Sequence, residues 1–273
     1  MDVASSSSML LSEQAGALRL LTVNRPDKLN AFAPGLLQLL DAALDAALAD
    51  AATRAVVITG AGSKAFVAGN DIDALAQLDP IAAYRDMVGG HRVLKRLHEF
   101  PKPTIAMVNG YALGGGFELA LACDFIVAST TARFGFPEIG LDTMPGWGGT
   151  QLAVRKMGLA RAKEMVLTGR HYGVDECREF GFISRVSNPQ DLRAETFEFA
   201  ASLTAHHPIA LEMAKLAVNR AAELPLQAGL DFEAVAYALN FGAPHARAGF
   251  ARFLARRDAK AARTAGAPST AFK

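Results

Sequence analysis

The 273-residue sequence predicts an α/β core followed by a helical C-terminal region, and three observations carry that reading. Short apolar and β-branched runs alternate with segments of helical periodicity through the first half. Glycine and proline clusters punctuate the junctions between them. From Gln151 onward helical spacing dominates, with no solenoid period and no linker rich in Gly, Ser or charge.

Residues 18–23 and 55–59 read as short strands, and between them Leu36, Leu37, Leu40, Ala43, Leu44, Ala47 and Leu48 recur at helical spacing. Residues 60–70 read as a loop and residues 81–100 as a helix, which Pro101 and Pro103 stop before a buried strand at 104–108. Strands at 125–128 and 132–134 lead into a Pro/Gly-rich loop over 136–151. Helices are expected over 161–168, 175–180, 192–204, 208–224, 227–239 and 246–262.

A 51% hydrophobic, 20% charged composition describes an ordinary globular chain. The net charge of +1 gives no broad basic surface, so neither nucleic acid nor an anionic membrane is an expected partner. Cys123 and Cys177 form no C-x-x-C pattern, which points away from a disulfide framework or zinc knuckle and toward a reducing cytoplasm. Residues 1–14 read as a frayed tail, since the start lacks the pattern of a secretory or transit peptide. The long apolar stretch 104–129 is interrupted by Asn109, Glu118, Asp124 and several glycines, too many for a membrane span.

The most informative segment runs from Asn109 to Asp124, where Gly114, Gly115 and Gly116 at a strand-to-helix turn precede Glu118. Glycines there expose the unpaired N–H groups and positive dipole end of a helix start, which suit an oxyanion. Glu118 has only Phe117, Leu119, Ala120, Leu121 and Ala122 around it, so no polar face explains it. A donor pocket beside a shielded carboxylate suits proton transfer next to a carbonyl. Glu138, in the Pro/Gly-rich loop, is a second carboxylate that tertiary folding could bring to the same carbon, or an ordinary surface residue.

Other chemistries fit less well. Gly60 to Ala65 matches G-x-G-x-x-A after a strand, but loop chemistry rather than an amphipathic helix follows, against a dinucleotide fingerprint. Gly110 to Gly115 has Walker spacing with Gly116 where lysine is required. No G-x-S-x-G elbow or H-E-x-x-H helix occurs, and the six histidines form no familiar ligand set, so neither a serine triad nor a metal is expected.

Several separated motifs in order resemble the crotonase, or enoyl-CoA hydratase/isomerase, superfamily: Asn24 to Ala31, Ala65 to Ile72, Asn109 to Asp124, Phe136 to Ile139 and Pro145 to Gln151. The resemblance covers residues 18–257. It implies a spiral of ββα units over residues 15–205 and a helical region at 206–273 that packs trimers, often paired into hexamers. It also implies an acyl-CoA substrate, with coenzyme A as part of that substrate and no separate cofactor. Carried over, the backbone N–H groups of Asn70 and Gly115 form the oxyanion hole, and Glu118 and Glu138 are the catalytic pair, Glu118 acting on water and Glu138 delivering the α-proton. Lys28, Ala68, Asn70, Asp71, Ile72, Gly114, Gly146, Trp147 and Arg256 are the implied substrate contacts.

Two departures stand out: Asn70 where the family most often has alanine, and Trp147 where a small residue is common. They imply an altered or limited acyl pocket. The expected reaction is reversible hydration of a 2-enoyl-CoA to a 3-hydroxyacyl-CoA, with an isomerase, dehydratase or thioester hydrolase on the same scaffold, or a non-catalytic CoA-binding scaffold, as alternatives.

Overall fold

A computed structural model describes residues 9–265, with side chains through residue 259. The chain divides into two compact units, one through Pro208 and one from Ile209. The first contains β1 (Leu10–Ala15), β2 (Leu18–Val23), β3 (Ala55–Gly60), β4 (Ala65–Val67), β5 (Thr104–Val108), β6 (Tyr111–Leu113), β7 (Phe125–Ser129), β8 (Arg133–Gly135), β9 (Tyr172–Gly173) and β10 (Arg185–Ser187). A larger sheet has the order β1-β2-β3-β5-β7-β10 and a smaller one β4-β6-β8-β9.

The alternation of strands between these sheets is the repeating unit. β3, β5 and β7 pair in parallel in the larger sheet, while β4, β6 and β8 pair in parallel in the smaller one. Parallel neighbours need a crossover, and a helix supplies it after each pair. The helices α2 (Ile72–Leu75) and α3 (Pro80–His98) follow β4, α4 (Gly115–Ala122) follows β6, and α5 (Gly149–Thr168) follows β8 through a 3-10 turn at Pro137–Leu141. An earlier helix, here α1 (Leu36–Ala49), joins β2 to β3.

The larger sheet is covered on both faces, which explains why its strands read as continuous apolar runs. Val56, Ile58, Ala106 and Val108 join Leu40 and Leu44 of α1 and Leu94 and Leu97 of α3 in the main core. The alternate residues Val57, Ile105, Met107 and Val127 face the other way, packing with Leu192 and Ala200 of α7 (Leu192–Thr204), which comes after α6 (Val174–Glu179). Asp124, the last residue of the glycine-rich run, is part of this frame: its carboxylate accepts from the Thr104 amide at 2.8 Å and hydroxyl at 3.0 Å, tying the start of β5 to the start of β7.

Three expectations are corrected. Residues 10–14, read as part of a frayed tail, form most of β1, an antiparallel partner of β2; its polar sequence reflects an edge strand with exposed side chains. Residues 1–8 lie outside those described. The 60–70 loop contains β4 and the glycine run contains β6, three-residue strands too short to show a period of two. α5 begins at Gly149, inside the expected loop, and is broken at Gly158 (φ 80°, ψ 164°), so the helix read from residue 161 is its second half.

The second unit takes in α8 (Pro208–Ala221) from its second residue onward, α9 (Leu226–Gly242) and α10 (Pro244–Ala265). Phe241 stacks on Tyr237 at 5.8 Å and meets Phe250 at 5.4 Å, which joins α9 to α10. Val218, Leu226, Val235, Leu239 and Phe253 remain exposed on this unit.

Candidate active site

The turn from β6 into α4 is built for close approach. Gly114 has φ 50° and ψ −125°, a region disfavoured for any residue with a Cβ. At Gly116 a Cβ would fall on the carbonyl of Val67 in β4, so the helix start sits directly on the smaller sheet. All eight residues of α4 are buried. Gly115 opens the helix, so its N–H has no intrahelical acceptor.

Opposite this turn lies the loop after β4. Phe32 and Asn70 form a parallel bridge in which Phe32 N–H donates to Gly69 O at 2.9 Å and Asp71 N–H to Phe32 O at 2.8 Å. Those two bonds flank Asn70 and leave its N–H outside the ladder. The position of a Cβ on Gly114 is 3.7 Å from the Gly69 Cα, and one on Gly115 would strike Asn70 Oδ1. Asn70 and Gly115 are therefore neighbours.

The Asn24 to Ala31 motif holds this loop from behind. Buried Asn30 accepts from Arg25 N–H at 2.9 Å and donates to Ala61 O at 3.0 Å and Ala65 O at 2.8 Å, while Ala68 N–H donates to Leu29 O at 3.1 Å. Arg25 pairs with Asp71 at 3.2 Å. Asn30 adopts φ 59°, which asparagine tolerates better than most residues.

Glu118 is 2% exposed, and its Oε1 accepts from the backbone N–H groups of Trp147 at 2.8 Å and Gly149 at 2.7 Å. Burial pushes its pKa up to about 7; the Gly149 amide opposes the shift, the negative field of Glu138 adds to it, and the Trp147 amide opposes it. Burial likewise raises Glu138 to about 7 against the pull of its own N–H. One Glu138 oxygen, Oε1, lies 2.8 Å from where a Gly114 Cβ would stand, and the other, Oε2, is buried without a hydrogen-bond partner among the described residues. Asn70 Oδ1 is in the same state. A buried acceptor left unpaired costs about 1–3 kcal/mol, a cost that a bound hydroxyl or water would relieve.

The structure thus gathers Glu118, Glu138, Asn70, Gly114 and Gly115, with Trp147 and its neighbour Gly146 on the loop that caps Glu118. Asp71 and Ala68 support the Asn70 loop from the main chain. Lys28, at the end of the Pro26–Lys28 turn, and Ile72, 53% exposed, are surface residues. Arg256 is an exposed residue of α10 in the second unit, whereas the whole cluster above comes from the first. The roles of Asn30 and of the Gly149 amide escape the sequence reading. For the Gly149 amide the local signal was the doubled glycine of Pro145-Gly146-Trp147-Gly148-Gly149: a Gly149 Cβ would stand 2.7 Å from Phe136 and 2.8 Å from Glu118 Oε1.

Among the described residues no helix is long and apolar enough to cross a membrane, and no group of three or more His, Cys, Asp or Glu side chains is arranged for a metal ion. β4 directly follows the Gly60 to Ala65 turn, so the dinucleotide-like spacing there opens no helix.

Residues 13–262 match the family model described as enoyl-CoA hydratase/isomerase. A probable enoyl-CoA hydratase of Rhizobium meliloti is 44% identical over 252 residues, covering 92% of this chain and 96% of that protein. The short-chain-enoyl-CoA hydratase of Clostridium acetobutylicum is 36% identical over 248 residues, 91% of this chain and 95% of its own. A crystal structure of an enoyl-CoA hydratase subunit from Geobacillus kaustophilus superimposes with a TM-score of 0.86 at 40% identity, covering 91% of this chain and 95% of that one. With its alternating strand pairs and glycine-turn site, the chain belongs to the enoyl-CoA hydratase/isomerase family and has the crotonase fold.

Proposed function

We propose that the protein reversibly hydrates 2-enoyl-CoA thioesters to 3-hydroxyacyl-CoA. The observation that carries this reading is the pair of buried carboxyls, each raised to about 7, beside the neighbouring main-chain N–H groups of Asn70 and Gly115. Poised near neutrality, one acid can be ionised while its neighbour holds a proton.

In the forward direction the Glu118 carboxylate, fixed by two amides, takes a proton from water as the water oxygen bonds to the β-carbon. The electrons of the double bond move through the α-carbon onto the thioester oxygen, where the amides of Asn70 and Gly115 receive the charge. Each such donor is worth about 3–4 kcal/mol at a developing oxyanion. Protonated Glu138 then delivers its proton to the α-carbon, and the exchange of protons between the two acids and solvent resets the site. Nothing in this sequence calls for a cofactor, coenzyme A being the handle of the substrate.

Lys28 is assigned to the CoA phosphates, assisted by Arg256 of this or a neighbouring subunit, the backbone around Ala68 and Asn70 to the adenine end, and Asp71, Ile72, Gly114 and Gly146 to further substrate contacts. The exposed apolar side chains of α9 and α10 are assigned to subunit contacts in a trimer or pair of trimers; such a patch calls for a covering partner. Cys123 and Cys177, both buried, fit a reducing cytoplasm. The test is loss of the conjugated-thioester absorbance of crotonyl-CoA on mixing with purified protein. Binding of CoA without turnover of any enoyl thioester would leave a scaffold instead, and double-bond migration or hydrolysis without hydration would leave an isomerase or thioesterase.

A further inference from the structure

We infer that the Trp147 side chain sets the acyl length this site accepts, and that the cleft it walls takes short, uncharged acyl groups. The inference deepens the hydratase reading and rests on it. A cleft of about 270 Å³ opens beside Asn70, just below the about 300–1,000 Å³ of most small-molecule sites. Its apolar lining includes Phe32, Pro34, Leu37, Leu75 and Leu78 together with Trp147.

The indole is fixed on every side. Its Nε1–H donates to Asp86 Oδ2 at 3.2 Å, and the Phe32 ring meets it edge-on at 4.8 Å and 75°. On α3, Gly90 leaves the space it fills: a Cβ there would overlap the indole. On the other flank the six-membered ring lies 3.3 Å from where a Gly115 Cβ would stand. A thioester held on the Gly115 amide therefore begins its acyl chain against the indole. The main chain and side chain of Trp147 have separate duties, since the Glu118 contact uses only the backbone N–H.

The polar side chains of the lining include Asn70, Asp71 and Asp86, and neither Lys nor Arg lines the cleft. Asp71 is paired with Arg25, whereas Asp86 faces the indole N–H, so a carboxylate at the far end of an acyl chain would meet an acid and no cation. Neutral chains carry no such penalty.

The test uses the full chain with crotonyl-, hexenoyl-, octenoyl- and decenoyl-CoA, together with 2,3-dehydroadipyl-CoA. The wild type should prefer the short members and hydrate dehydroadipyl-CoA at least about tenfold less efficiently than hexenoyl-CoA, and Trp147→Ala should raise the decenoyl-to-crotonyl ratio of kcat/KM by about tenfold or more. Trp147→Phe should fall between the two and serves where the alanine variant does not fold. Asp86→Asn, which keeps an acceptor for the indole, should narrow the gap against dehydroadipyl-CoA. Calorimetric Kd values for butyryl- and decanoyl-CoA, which cannot be hydrated, should shift in parallel and report on the cleft even if turnover fails. An unchanged chain-length ratio in folded Trp147 variants would overturn the length assignment, and equal hydration of dehydroadipyl- and hexenoyl-CoA would overturn the charge assignment.

Discussion

Glu118 and Glu138 are raised to the same value for the same main reason, burial, yet their surroundings differ. Glu118 sits on a fully buried helix and is held by two amides from a loop that wraps around it. Glu138 sits on a short 3-10 turn, with one oxygen against the glycine turn and the other without a hydrogen-bond partner among the described residues. The lesson is that protein can raise a carboxyl pKa while fixing its direction or while leaving it an open lone pair. The first suits a group that must aim at water, and the second a group that must hand a proton to carbon.

Replacing each acid in turn tests that division most severely. Glu118→Gln keeps an oxygen for the two amides and Glu138→Gln keeps the shape of the turn, so both variants should fold. Each should lower kcat by about 10²–10⁴-fold in stopped-flow hydration of crotonyl-CoA. Full activity of either variant would remove that residue from the chemistry. Gly149→Ala comes next. Its Cβ would press on Phe136 and on the Glu118 carboxylate, so it should cost about 1–3 kcal/mol in denaturant unfolding and disturb Glu118 rather than Glu138.

The pH dependence separates the acids more finely. A carboxyl whose pKa is 4.5 unfolded and about 7 folded binds more protons in the native state, so stability is greatest below pH 4.5 for this contribution and declines as pH rises toward 7. Glutamine at either site should flatten the decline measured by thermal unfolding across that window. Hydration itself should fall on the acid side of about pH 7 as the base is protonated, and on the alkaline side as the donor loses its proton, giving a bell. The smallest effect is expected from Lys28→Ala: exposed charge contributes little, so KM should rise by about two- to fivefold with kcat unchanged.

Much of the site was legible in sequence because it is local. Three consecutive glycines before an acid in an apolar stretch announce both a helix start without side chains and a carboxylate without a polar face, and the structure has both. The trio Pro137, Glu138 and Ile139 carried no such signal alone, since its meaning depends on β8 delivering it to the turn after β6. Asn30 was harder still. Its carboxamide works on Ala61 and Ala65, more than thirty residues away, and nothing near it in the chain shows those carbonyls. The polar edge strand at Leu10–Ala15 was misread for a related reason: one partner suffices to make a strand, and that partner lies across a turn.

Sequence alone determined the alternation of the longer strands with helices, the buried runs of β3, β5 and β7, and the glycine turn at Gly114 to Gly116, because periodicity and the lack of a Cβ are properties of consecutive residues. Tertiary structure decided which amides hold Glu118, that Glu138 stands beside Gly114, and that Gly90 and Asp86 seat the Trp147 indole. Those facts join segments separated by tens of residues, and only the stacking of successive ββα units brings them within van der Waals and hydrogen-bond range.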